Sequence, residues 1–139
     1  MTDLIDILSL GAGVQSSTLL LLAERGIIPR PKVAIFADTQ AEPDNVYSWL
    51  DKLRTLTSIP IVTVTKGNLQ RDSLEVKRSR LSGKLYVKGL IPAYTLNGDG
   101  KRGLLSRKCT ADYKVEQIVR KSREYCEWKR GQKTPLVRM

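Results

Sequence analysis

The chain has 139 residues, enough for one domain with a hydrophobic core, and its 41% hydrophobic content excludes wholesale disorder. No apolar run approaches the roughly 20 residues that a bilayer-spanning helix needs, and no membrane partner is expected. The formal charge is +10, there is no histidine, and there are two cysteines, Cys109 and Cys126. Histidine acid–base chemistry is thereby excluded, and neither a disulfide framework nor a four-ligand zinc site from one chain is expected.

The charge is unevenly placed. Residues 1–65 hold 5 Lys and Arg against 7 Asp and Glu, whereas residues 66–139 hold 19 against 7. The basic excess of the second half points to a polyanion, with phosphates or nucleic acid foremost. The N-terminal "MTDLIDIL" carries two acids and no basic segment, unlike a signal peptide, so a cytoplasmic location is expected.

In chain order, "LIDILSL" (4–10) reads as a short buried strand broken by Gly11, Ala12 and Gly13. Ser16, Ser17 and Thr18 are expected to cap a helix through "TLLLLAERG", which Gly26 ends. "PKVAIFAD" (31–38) reads as a second buried strand. "EPDNVYSWLDKLRTL" follows as a helix, with Pro43 in its first turn and Val46, Trp49, Leu50 and Leu53 on one face. "IPIVTVT" (59–65) is a third, β-branched strand. This alternation predicts an open, mostly parallel α/β sheet with flanking helices, whose ligands bind beyond the carboxyl ends of the strands.

Beyond Lys66 the pattern weakens. "NLQRDSLEVKRSRL" suggests a short helix, and residues 66–108 read as an irregular basic insert or lid with a turn at "NGDG" (97–100). "TADYKVEQIVRKSREYCEWKRG" predicts a basic C-terminal helix with Val115, Ile118, Val119, Ser122 and Cys126 on its apolar stripe. The single domain is expected over 1–131, with 132–139 as a mobile tail.

The loop "SLGAGVQSS" (9–17) has a physical reading of its own. Small residues between a strand and a helix let an anion approach the backbone, the freed N–H groups point at it, and the helix dipole favours its charge. Ser9, Ser16 and Ser17 add hydroxyl donors. No Gly-Lys-Ser/Thr closes the loop, and Ser16 replaces the third glycine of a dinucleotide fingerprint, so it is neither of those motifs.

With "FADTQAEPDNVYSWL" and "NGDGKRGLLSRKCTADYKVEQI", the loop resembles the PP-loop enzymes, the adenine nucleotide alpha hydrolase-like superfamily. Among these it is most similar to the phosphoadenosine phosphosulfate (PAPS) reductase-like branch of phages and mobile elements. The three motifs run in the same order over Ser9 to Ile118. The resemblance implies a Rossmann-like PP-loop fold. It also implies a phosphate cradle of Ser9, Gly11, Ala12, Gly13, Gln15, Ser16 and Ser17, with Phe36, Ala37, Asp38 and Thr39 near the adenosine. Glu42 would cap the next helix or approach the site, and Arg107, Lys108 and Lys114 would face the sulfate or phosphate end. The ligand would be ATP or PAPS, with Mg²⁺ arriving on the nucleotide, and ATP would be cleaved between its α- and β-phosphates.

The chain also departs from that pattern. Gln15 stands where the resembled loop carries an acid, Ala12 and Gln40 where glycine is usual, and Gln117 where proline is usual. The C-terminal cysteine of the reductases is missing, and two cysteines cannot supply four iron–sulfur ligands. Reductase chemistry and an iron–sulfur cluster are therefore not expected, and no catalytic residue is assigned. A second reading follows from the basic half. Arg107, Lys108, Lys114, Arg120 and Lys121 would dock a non-catalytic protein on nucleic acid or a ribonucleoprotein, as an anti-CRISPR inhibitor does. In a third, a homodimer covers the exposed sheet edge.

Overall fold

The computed structural model describes residues 5–96, 98–105, 108–129, 131 and 137–138. Its centre is a parallel sheet built from β1 (Ile5–Ser9), β2 (Val33–Asp38) and β3 (Ile61–Thr65). Helix α1 (Val14–Glu24) joins β1 to β2, and α2 (Asp44–Leu56) joins β2 to β3. After them come α3 (Leu69–Leu74), a hairpin of β4 (Val76–Arg78) and β5 (Leu85–Val87), and a second hairpin of β6 (Tyr94–Leu96) and β7 (Arg102–Leu104). A helix then runs through α4 (Lys108–Thr110), a π-helical turn (Ala111–Val115) and α5 (Glu116–Tyr125). The last described element is β8 (Val137–Arg138).

Strand order is β3-β2-β1-β8. β2 lies parallel to β1 with Ile7 opposite Val33 and parallel to β3 with Ile35 opposite Val62, and β8 adds to the far side of β1 with Ile5 opposite Val137. The described part of the expected tail thus meets the sheet, and the rest of 132–139 lies outside the described residues.

Burial explains why β2 is apolar without alternation. Its Ala34 and Phe36 point to one face, where they pack with Leu10, Leu20, Ala23, Leu50, Leu53 and Ile59. Its Val33, Ile35 and Ala37 point to the other, where they meet Ile7 and Ile118. Helices α1 and α2 therefore cover one face and α5 the other, and a strand covered twice needs apolar side chains on both sides. The expected α/β class with a parallel sheet and flanking helices is what the chain adopts.

Several local expectations are corrected. Helix α1 begins at Val14 with Gly13 as its N-cap and no side-chain cap. Ser16, Ser17 and Thr18 lie inside it, and the Thr18 hydroxyl donates back to the Val14 carbonyl (2.8 Å). Strands β2 and β3 start at Val33 and Ile61, after Pro31 and Pro60, because proline has no N–H for a ladder. The 66–108 insert is not irregular: it holds α3 and both hairpins. Val115 lies off the buried stripe at 51% exposure, because the wider π-helical turn shifts the phase and buries Tyr113 instead. Cys126 is only half-buried.

One polar knot ties the end of α1 to the link between α2 and β3. The Glu24 carboxylate at the end of α1 accepts from the Thr57 hydroxyl (2.8 Å), the Ser58 hydroxyl (2.8 Å) and amide (3.1 Å), and Arg30 (3.1 Å). These bonds, led by the Thr57 and Ser58 hydroxyls, hold its pKa down at about 2 against an ordinary 4.5. A depressed carboxyl contributes stability that is complete above the unfolded value and lost as pH falls through the folded one. Between pH 4.5 and pH 2, wild type should therefore lose urea resistance more steeply than a Glu24→Gln variant, read from the unfolding midpoints. In the core, Leu20 is fully buried, and Leu20→Ala should cost about 3 kcal/mol in the same assay.

Candidate functional site

The ladder of β1 ends with the Leu10 amide donating to the Ile35 carbonyl (2.9 Å). Beyond it Ala12 takes a left-handed conformation (φ 54°) and Gly13 an extended one (φ −82°, ψ 174°) before α1 begins. A single left-handed residue reverses the chain direction and delivers it into the first turn of α1.

The loop's hydrogen bonds are unevenly distributed. The Gly11 amide donates to Ser16 Oγ (3.2 Å), which in turn donates to the Gly13 carbonyl (3.4 Å), so Ser16 braces the loop across its mouth. The Ser17 amide donates to the Gly13 carbonyl (3.0 Å), the first bond of the helix. Among the described residues, the amides of Val14, Gln15 and Ser16 have no protein acceptor. The same three residues line, with Ser9, Gly11, Gly13 and Leu19, a cleft of about 680 Å³. A methyl group added at Gly13 would meet nothing within 4 Å. Neither its dihedrals nor its packing call for glycine, and the bare backbone leaves the cleft floor open.

Ser17 plays another part than a wall of the cleft. It is 3% exposed, and its Oγ accepts the Trp49 indole N–H (2.9 Å). That bond ties the first turn of α1 to α2.

Beyond the carboxyl end of β2, the Asp38 Oδ1 accepts from the Gln40 amide (2.7 Å) and the Tyr47 hydroxyl (2.8 Å). Burial, and then the Asp38 carboxylate, push the Tyr47 pKa up. Thr39 is buried, and its hydroxyl donates to Glu42 Oε1 (3.1 Å). The same oxygen meets the Lys114 ammonium (2.9 Å). The structure thus brings Asp38, Thr39, Glu42 and Lys114 to the rim of the sheet, each already engaged with another protein group. Gln40 takes a left-handed φ of 55° there. Phe36 and Ala37 are core residues, one on each face.

The remaining cations are dispersed. Lys121 pairs with Glu124 (2.6 Å), and it lines with Arg120 a small cleft at the end of β3. Lys108 is exposed, and no contact among the described residues joins it to the loop. Arg107 lies outside the described residues. Cys109 is half-buried, and its amide donates to the Leu90 carbonyl (2.9 Å).

Two groups at this end escape a reading of the sequence. Tyr113 is buried in the π-helical turn, and its hydroxyl donates to Asp72 Oδ2 on α3 (2.6 Å). Burial, and then Asp72, push its pKa up to about 12. Lys66, just past β3, reaches Asp112 (3.5 Å) and Glu116 (3.7 Å) and lies over the Tyr113 ring. A tyrosine off the expected apolar stripe gave no signal of burial. The Lys66 pairs join residues far apart in sequence, which no local pattern reports. Among the described residues no cluster of three or more His, Cys, Asp or Glu could hold a metal ion, and no helix is long and apolar enough to cross a membrane.

Compared with family models, curated proteins and solved structures, the chain matches none.

The Ser17–Trp49 bond has a measurable consequence. Ser17→Ala leaves the indole N–H without its acceptor, and should cost about 1–2 kcal/mol in urea unfolding.

Proposed function

We propose that the protein binds the phosphates of an adenine nucleotide, ATP or a sulfonucleotide such as PAPS, on the loop from Ser9 to Ser16. The observation that carries this reading is the run of three amides, Val14, Gln15 and Ser16, without protein acceptors at the start of an 11-residue helix and the mouth of an open cleft. An anion there gains three N–H donors and the positive end of the helix dipole.

Two further features support it. The loop leaves β1 where the strand order turns, with β2 and β3 on one side and β8 on the other. Such switch points are where open α/β sheets hold ligands. Ala12 and Gln40 stand where PP-loop proteins carry glycine, and both are left-handed here, the conformation that favours glycine. A backbone that suits glycine at these two positions supports a Rossmann-like PP-loop fold as part of this reading.

In this reading Ser16 shapes the loop and adds its hydroxyl, while Ser17 secures the helix behind it. Lys114 exchanges Glu42 for a phosphate or sulfate oxygen when the ligand arrives. Mg²⁺ would come held by phosphate oxygens and water, the ligands it prefers. Asp38 and Glu42 are the rim carboxylates; the Gln40 amide and Tyr47 hold Asp38, and Thr39 still holds Glu42 once Lys114 has moved to the ligand. The protein would therefore bind and orient the nucleotide by positioning and charge.

Val14→Pro tests the reading at one atom. Val14 is exposed and is the first residue of α1, where proline is well tolerated, and Gly13 before it is already extended. The substitution removes one open amide and keeps the helix. In calorimetry with ATP and Mg²⁺, wild type should bind and Val14→Pro should bind about tenfold more weakly, with unchanged circular dichroism. Absence of binding by wild type to both ATP and PAPS, with and without Mg²⁺, overturns it.

A further inference from the structure

The hairpin of β4 and β5 has a construction that the nucleotide reading leaves unused. Its strands pair antiparallel, with Val76 opposite Val87, Lys77 opposite Tyr86 and Arg78 opposite Leu85. The connecting turn is closed by the Ser79 amide on the Lys84 carbonyl and the Gly83 amide on the Ser79 carbonyl (both 2.9 Å). Directly opposed residues share a face. One face therefore carries Val76, Val87, Leu85 and Arg78, all exposed. The other carries Lys77 and Tyr86 and, by alternation along the strand, Lys84 and Lys88. Apart from Arg78 the first face is apolar, and the second is cationic, with Lys84 and Lys88 beside a Lys77 that pairs with Glu75 (2.8 Å).

It is also unfinished. β4 and β5 form a two-stranded sheet, and no described segment pairs with the outer edge of β5. Every residue from Leu81 to Lys88 is exposed. The second hairpin differs, because one of its faces carries the half-buried Thr95 and Gly103. Residues 76–88 contain five cations, Lys77, Arg78, Arg80, Lys84 and Lys88, and no carboxylate. A two-stranded ribbon is marginal alone and gains stability from a third strand, and an open edge is a template for one.

We infer that the outer edge of β5 is a docking site for an extended strand of a partner protein whose residues alternate between apolar and acidic. Added to this edge, such a strand sets its apolar side chains beside Leu85 and Val87 and its carboxylates beside Lys84, Tyr86 and Lys88, while its backbone completes the ladder. The charge decides against a second copy, since edge-to-edge pairing of two β5 strands brings like lysines together. The aliphatic face decides against a nucleic acid, whose phosphates gain nothing from Leu85 and Val87. A membrane surface would favour apolar residues gathered at the turn, yet these lie along the flat of the ribbon, and Arg80 is next to the only large apolar residue of the turn, Leu81.

The experiment is fluorescence anisotropy on the whole chain with a labelled, strand-length peptide alternating valine and glutamate. The same peptide with lysine for glutamate, a nucleic acid duplex and phosphatidylglycerol vesicles are measured in parallel. Wild type should bind the glutamate peptide and not the lysine peptide. Lys84→Glu with Lys88→Glu should weaken the glutamate peptide about tenfold or more and admit the lysine peptide. Leu85→Thr with Val87→Thr, which keeps strand propensity at exposed positions, should weaken it by a similar factor. Unchanged circular dichroism in both variants ties these losses to the surface. The inference is overturned if wild type does not bind the glutamate peptide, if it binds both peptides equally, or if it prefers the duplex or the vesicles. ATP binding is measured separately, and either result there leaves this one standing.

Discussion

The hydrogen bond from the Leu10 amide to the Ile35 carbonyl is where the sheet stops holding β1. Everything at the candidate site depends on the chain being fixed up to that atom and released just after it. The next residues cannot pair further, so they turn through a left-handed Ala12 and enter α1 with no capping side chain. A serine or aspartate at the N-cap would have occupied one of the first amides. Gly13 occupies none, and the helix begins with open donors on residues that line a cleft.

The loop is held from beneath as well as from behind. Trp49 fixes Ser17, and Leu20 and Ala23 seat α1 against Phe36 and Leu53. Such backing matters because an amide selects an anion only while its direction is fixed, and a loose loop would spend part of the binding energy on its own ordering. The acidic knot at Glu24 does the same for the opposite end of α1, tying it to the link between α2 and β3.

The second half of the chain joins the sheet mainly through one helix. Ile118 contributes to the second core cluster, while Tyr113–Asp72, Lys114–Glu42 and Lys66–Asp112 are polar or charged links around the rim. Between them the hairpins reach outward with little burial, which is why so much of the basic excess is exposed. Cations and exposed aliphatic side chains lie on opposite sides of one ribbon, and the proposed acidic, apolar strand would satisfy both.

The β-α-β-α-β front half, the loop position and the parallel sheet were legible from apolar runs punctuated by glycine and proline, because strand burial and helix breaking are local properties. The alternation of charge and apolarity in "KLYVK" was equally present in the residues, but three-residue strands are too short to announce themselves without their partners. The phase shift of the π-helical turn, the burial of Tyr113, and the division of labour between Ser16 and Ser17 were decided only in three dimensions. The partners come from far along the chain: Asp72 for Tyr113 and Trp49 for Ser17, as the Ile35 carbonyl does for the end of β1. Sequence alone determined which stretches could be buried and where the backbone was left bare; tertiary packing decided which donors were consumed and which stayed open, because a hydrogen bond needs a partner that only the fold can bring within reach.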